Sequence, residues 1–335
     1  IATLLVPGET LALIGMGGIG KTTLAALATI AQSVRARFYD GVLWTSLGPA
    51  PDAFFELGQW ISAADPHTAD LAALPTVPAR QARLREALGS RRMLLVIDDA
   101  WEAGHASEFI LGGPNCAHLV TTRDSSLAAL LCAPDGCIRV PDLDEAASAR
   151  LLTGLAPGLA RHPQTHLARL NQYAGGLPLA LTIFGRLAWR AESADPAHGI
   201  DALLDSLASA SRRVQTDVPV PANARPRHLL SQPQISIALS LSASSERLSE
   251  AARQALSDLT LFPPKGNTFS EAAALALLGQ GESALRELVS AGLVETLTGE
   301  RYALHQTIHD FAALRPPGEA AVQRWIQYWQ TFLRK

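Results

Sequence analysis

Short apolar runs separated by longer stretches of mixed pattern fill the first 140 residues. Thr10-Leu-Ala-Leu-Ile14, Gly41-Val-Leu-Trp-Thr-Ser46, Met93-Leu-Leu-Val-Ile-Asp98, Ala117-His-Leu-Val-Thr121 and Cys137-Ile-Arg-Val140 are nearly continuous in hydrophobicity. Strands covered on both faces read this way, whereas half-exposed strands alternate. The stretches between them leave room for crossover helices, the first expected over 20–36. The pattern therefore predicts an α/β domain over 1–140, a parallel five-stranded sheet with flanking helices.

After Pro141 the strand signals stop. Asp142-Leu-Asp-Glu145 opens a helical run, with Asp142 in the N-cap position and Glu three residues later. A second helix ends at Gly175-Gly176, and Pro178 begins the next one, where a missing N–H costs nothing. Residues 141–212 thus predict a small helical domain. Pro219, Pro221, Pro226 and Pro233 crowd the segment 213–233, which reads as a loop or linker. Over 234–315 helices are expected near 246–260, 270–278 and 282–291. A hairpin then joins Leu293–Leu297 to Arg301–Leu304 through Thr298-Gly-Glu300. Three helices and a hairpin predict a winged-helix domain. Beyond Pro316-Pro317, in 316–335, Val322, Trp325, Ile326, Trp329, Phe332 and Leu333 recur at helical spacing, the start of a C-terminal helical region.

Composition narrows the function classes. Of 335 residues, 48% are hydrophobic and 18% charged, which supports packed cores and excludes a disordered chain. A net charge of −3 excludes a polybasic nucleic-acid or membrane binder. Three cysteines are too few for a disulfide framework and point to a reducing compartment. No apolar run reaches the roughly 20 residues a membrane span needs. A cytoplasmic location is expected, for a piece of a larger protein. Lysine occurs only at Lys21, Lys265 and Lys335. In a chain that otherwise uses arginine, Lys21 invites a chemical reason.

That reason is local. Gly15-Met-Gly17-Gly18-Ile-Gly20-Lys21-Thr22 satisfies the pattern G-x-x-x-x-G-K-[ST] in full, after an expected strand and before an expected helix. Glycines let backbone N–H groups wrap phosphates, and the helix N-terminus faces the anion. Lys21 is expected on the β- and γ-phosphates and the Thr22 hydroxyl on Mg²⁺. Leu94-Leu-Val-Ile-Asp98-Asp99 ends a buried strand in two acids. Asp98 is expected in the Mg²⁺ shell, and Asp99 as the group that orients or deprotonates the attacking water. Thr121-Thr122-Arg123 ends another strand at the same sheet edge, where a guanidinium can read a γ-phosphate. His305/His309, His162/His166 and Cys132/Cys137 lack a third ligand at metal spacing and predict no metal site.

These residues together resemble the NB-ARC class of STAND nucleotide switches, which includes plant disease-resistance proteins, apoptotic protease-activating factors and bacterial regulators. The resemblance rests on residues 15–25, on Asp98-Asp99-Ala-Trp101, on Thr-Thr-Arg123 and on Gly175-Gly-Leu-Pro178-Leu-Ala180. The Val42-Leu-Trp44 segment is similar too. It implies a slow ADP/ATP-switched signalling ATPase, closed with ADP, opened by exchange, and self-associating in the ATP state. ATP/ADP and Mg²⁺ are the implied cofactors, with effector and sensor domains flanking the chain. It further implies nucleotide contacts from Thr23, from Pro178 near the adenine, and from His305 at the β-phosphate of ADP. Leu304-His305-Gln306 stands where the class has Met-His-Asp.

Two other readings compete. A winged helix can bind DNA, but between Gly266 and Glu300 five glutamates face the single base Arg286, so no direct nucleic-acid contact is expected. A rapid-turnover P-loop ATPase would show steady hydrolysis well above about one per second.

Overall fold

The computed structural model describes residues 1–66, 71–217, 232–264, 267–279, 281–297 and 299–332, without side chains at 210–217, 232–235 and 332. They divide into two compact units, Ile1–Pro141 and Asp142–Lys335.

In the first unit strands and helices alternate: β1 Thr10–Ile14, α1 Lys21–Ile30, α2 Gln32–Arg37, β2 Gly41–Gly48, α3 Ala53–Ala64, α4 Val77–Leu88, β3 Met93–Ala100, α5 Ala103–Ser107, β4 Ala117–Thr122, α6 Ser125–Leu131 and β5 Cys137–Arg139. The strands form one sheet in the order β2-β3-β4-β1-β5, every neighbouring pair parallel. This is the P-loop NTPase fold. The apolar runs are continuous because the central strands are covered on both sides: Leu94, Leu95, Val96 and Ile97 are all fully buried, and every residue of β4 is buried. Trp60 of α3 meets Phe109 edge to face at 5.2 Å, sealing the layer that Leu57, Ile61, Leu84 and Leu88 fill against the sheet. Each such side chain contributes about 1.5–3 kcal/mol by leaving water. Asp52, Thr76 and Asp124 cap α3, α4 and α6 by accepting backbone N–H bonds.

The expected helix over 20–36 is in fact two. Ala31 takes an extended conformation between α1 and α2. Residues four apart share one face of a continuous helix. The break separates them, leaving Ile30 at 66% exposure while Val34 turns into the core at 1%. No glycine or proline marks the spot, so the sequence carried no signal of it.

The second unit opens with helices α7 Glu145–Leu155, α8 Gln164–Ala174, α9 Pro178–Ala194, α10 Gly199–Asp217 and α11 Gln232–Glu246. Asp144, not Asp142, caps α7, accepting from the N–H of Ala147. Gly175 closes α8 in the left-handed region, and Gly176 follows at φ +70°. A side chain at Gly176 would sit 2.7 Å from the Leu143 carbonyl oxygen, so only glycine lets this turn press on the chain entering α7. Helix α11 was invisible to apolar periodicity because Ser236, Ser240 and Ser244, one turn apart, lie on its buried face. The expected linker 213–233 falls largely outside the described residues, with α10 running on to Asp217.

The unit continues with α12 Glu250–Asp258, β6 Phe269–Ser270, α13 Glu271–Leu278, α14 Glu282–Ser290, β7 Glu295–Leu297, β8 Arg301–Ala303, α15 Gln306–Ala312 and α16 Glu319–Phe332. The three strands pair antiparallel in the order β6-β8-β7, and the arrangement is winged-helix-like. Strand β6 is two residues long and gave no pattern to read. Gly299 and Glu300 hold the hairpin turn at positive φ, while its first turn residue, 298, lies outside the described residues. Helix α16 docks through Trp325, whose ring stands edge-on to Phe262 at 4.6 Å. Among the described residues, no helix is long and apolar enough to cross a membrane.

Candidate functional site

The carboxyl ends of β1, β3 and β4 lie side by side in the sheet, and the expected chemistry gathers there. Residues 15–20 turn from β1 into α1, with Gly18 at φ +81° and Gly20 at φ +96°. Only glycine adopts such angles without strain, and they aim successive N–H groups inward. No side chain caps α1 and no acid lies in its first turn, so its N–H groups and its dipole are left to an anion. Lys21, 7% exposed, folds back so that Nζ donates to the carbonyls of Gly15 at 2.8 Å and Met16 at 3.0 Å. Burial, then the neighbouring Arg123, lowers its pKa to about 8. Thr23, beside Thr22, is exposed.

A bulge shapes the acid pair. Ile97 pairs with Val120 and Ala100 with Thr122, so Asp98 and Asp99 together oppose Thr121 alone. Asp99 accordingly sits at φ +51°, which aspartate tolerates better than most residues. Thr121 serves both acids: its hydroxyl donates to Asp98 Oδ1 at 2.6 Å and accepts from the Asp99 N–H at 2.9 Å. The Thr22 hydroxyl donates to the same carboxylate, at 2.9 and 3.1 Å. Asp98 is 3% exposed, and burial raises its pKa against the opposing pull of the two threonine hydrogen bonds. A buried carboxylate beside a hydroxyl is the oxygen donor set that a hard divalent cation takes.

Arg123 leaves β4 with its Nε 3.9 Å from Asp99 Oδ1. That Nε is buried and donates no hydrogen bond among the described residues. Thus Gly15, Gly17, Gly18, Gly20, Lys21, Thr22, Asp98, Asp99 and Arg123 belong to one sheet edge of one unit. Lys21 and Arg123 bring two cations that sense each other, and an orphaned donor points to a missing acceptor. The residues fit a nucleoside polyphosphate with Mg²⁺: the glycine turn and α1 for phosphates, Thr22 and Asp98 for the metal.

Pro178 and His305 are in the second unit. Pro178 is half-buried at the first position of α9. His305 caps α15, its Nδ1 accepting the N–H of Thr307 at 3.1 Å, which places the ring proton on Nε2. Gln306, 7% exposed, donates to Asp310 at 2.6 Å. Two further histidines are engaged structurally: His309 with the Thr260 carbonyl at 3.0 Å and His166 with Asp201 at 2.9 Å. Cys132 and Cys137 are free thiols with sulfurs 3.0 Å apart, and burial pushes Cys132 up to about 12. Among the described residues no group of three or more metal-ligating side chains stands together.

Sequence reasoning saw Thr121 only as half of a hydroxyl pair and Trp101 only as part of a resemblance. The bridging role of Thr121 follows from the bulge: one residue facing two consecutive acids at a strand end needs a side chain that both donates and accepts.

Residues 3–156 match the family model of the NB-ARC domain. Over 116 residues the chain is 39% identical to regulatory protein AfsR of Streptomyces griseus, a stretch covering 33% of this chain and 12% of that protein. It is 28% identical over 207 residues to putative disease resistance protein RGA4 of Solanum bulbocastanum, covering 56% of this chain and 19% of that one. A signal transduction ATPase with numerous domains, with a tetratricopeptide repeat sensor, from Pyrococcus horikoshii shares the fold. It superposes with a TM-score of 0.61 at 16% identity, covering 97% of this chain and 43% of that one. The matched region thus spans less than half the length of each of these relatives.

Proposed function

We propose, from the premise that residues 3–156 are an NB-ARC domain of the STAND-type P-loop NTPases, that this chain is an ADP/ATP-switched signalling module whose slow hydrolysis resets it. The observation that carries the reading is the shared threonine network. Thr22 from the phosphate loop and Thr121 from β4 both bond Asp98, so the metal position is tied to the nucleotide position through one carboxylate.

Lys21 would exchange its loop carbonyls for the β- and γ-phosphates. Thr22 and Asp98 would hold Mg²⁺, which when bound would supply charge neutralisation to the nucleotide. Asp99 accepts the proton of the attacking water as the water oxygen bonds to the γ-phosphorus. The bond to the ADP oxygen breaks, giving ADP and inorganic phosphate. Arg123 meets the charge of the γ-phosphoryl group. Pro178 and His305 are assigned to the adenine and the β-phosphate, so that the second unit responds to which nucleotide is held. The module's partners are the nucleotide, flanking effector and sensor domains, and further copies of itself in the ATP state.

DNA binding is not supported. In the winged-helix-like part Arg286 is engaged with Glu282, and Glu287 accepts from Ser249. A hydrolysis rate of many per second would favour a motor-like ATPase instead. Titration calorimetry tests the reading directly. Lys21→Ala should weaken both ADP and ATP at least about tenfold. Unchanged affinity for both nucleotides would overturn the assignment.

A further inference from the structure

An exposed tryptophan next to the acid pair has work that the roles above leave unassigned. Trp101 follows β3 directly and is 40% exposed. Its Nε1 donates to Asp99 Oδ2 at 3.1 Å. Its ring face lies under the Arg123 guanidinium, 5.0 Å from the central carbon to the ring centroid. The other Asp99 oxygen, Oδ1, faces Arg123 Nε at 3.9 Å. One side chain therefore touches both groups on which hydrolysis and γ-phosphate reading depend, through two different parts of itself.

Asp99 needs such a partner. Its backbone is held at φ +51°, and among the described residues its carboxylate accepts a hydrogen bond from Trp101 and has a longer contact to Arg123. When Arg123 turns toward a phosphate, that contact loosens, and the indole N–H is what keeps the carboxylate aimed. Arg123 needs one too. Its guanidinium is partly exposed, its Nε lacks a hydrogen bond, and a long flexible side chain pays entropy to be fixed. A flat aromatic face restrains a planar guanidinium without consuming its N–H donors, which stay available for an anion.

We propose that Trp101 is a positioning residue with two separable parts: the indole N–H orients Asp99 for hydrolysis, and the ring face holds Arg123 ready for the γ-phosphate. The proposal rests on the roles given above to Asp99 and Arg123.

The two parts can be removed one at a time. Trp101→Phe keeps a ring and loses the N–H, whereas Trp101→Ala loses both. The site is exposed, so the core is untouched, and thermal melting of each variant should match the parent. Two quantities are measured with the full chain: the ratio of ATP to ADP affinity, and the single-turnover hydrolysis rate of bound ATP. Trp101→Phe should slow hydrolysis about tenfold, a small share of what a general base is worth, and hold the affinity ratio within about twofold. Trp101→Ala should slow hydrolysis at least as much and shift the ratio about two- to fivefold against ATP, the worth of an exposed cation–π contact. Such a split, with the ring alone rescuing nucleotide discrimination, is not what loss of packing produces. An unchanged ratio in Trp101→Ala, while Arg123→Ala shifts it, overturns the ring's role and leaves the reading of Arg123 intact. Parental hydrolysis in Trp101→Phe overturns the role of the N–H. An unchanged ratio in Arg123→Ala overturns the functional reading itself.

Discussion

Two residues at the carboxyl end of the parallel sheet, Lys21 and Asp99, carry consequences that can be measured individually. Burial and the Arg123 charge hold Lys21 at about 8. A bound phosphate anion raises that value again. Between the two values, binding takes up a proton. Affinity should therefore be flat well below pH 8 and fall as pH climbs above it. Calorimetry at a pH of about 8.5, in two buffers of different ionisation enthalpy, should show different apparent binding enthalpies that converge near pH 6.5. Buffer-independent enthalpies at both would mean that Lys21 is not at the anion. Asp99 offers the second test. At φ +51° asparagine is as comfortable as aspartate and keeps an oxygen for the Trp101 N–H. Asp99→Asn should thus fold normally and bind ATP, yet lose hydrolysis by at least about a hundredfold. Parental single-turnover rates in Asp99→Asn would show that another group takes the proton. That the glycines, the lysine, the acids and the arginine gather at one sheet edge was legible in the sequence, because their spacings put each at the carboxyl end of an expected strand. The Thr121 bridge was not, since it depends on a bulge in β3 that places two residues opposite one.

Among the elements, the five strands of the parallel sheet were read within one or two residues because continuous apolar runs leave little choice. Helices were read less well where tertiary contacts override local pattern. Ala31 breaks a helix so that Val34 can be buried, and α11 packs through serines. Helix α15 joins structure to the proposed function through its cap. His305→Ala loses the hydrogen bond to the Thr307 N–H and should cost about 1 kcal/mol. His305→Asn keeps a capping side chain but has no imidazole. If the ring's Nε2–H reaches the β-phosphate, both variants release ADP several-fold faster than the parent in a stopped-flow chase. Parental release from His305→Asn would reduce the histidine to a helix cap.

At the scale of the whole molecule, the chain holds two compact units, and the glycine turn, the acid pair and Arg123 all lie in the first. A switch requires that the second unit respond to which nucleotide the first one holds. A ligand shifts a conformational equilibrium only as far as it binds the two states differently. Taking one from 1:99 to 99:1 needs about 5.5 kcal/mol, more than a single histidine or arginine supplies. Several contacts must therefore change together on exchange of ADP for ATP. Asp99→Asn makes the comparison clean, because it should hold ATP without cleaving it. Small-angle scattering with in-line mass measurement, on Asp99→Asn loaded with ADP and then with ATP and Mg²⁺, tests the central claim most directly. The ATP-loaded protein should show a larger radius of gyration or a higher mass than the ADP-loaded protein. Identical scattering and mass in both states, with each nucleotide verified as bound, would contradict the switch and leave a nucleotide-binding ATPase without a signalling conformation.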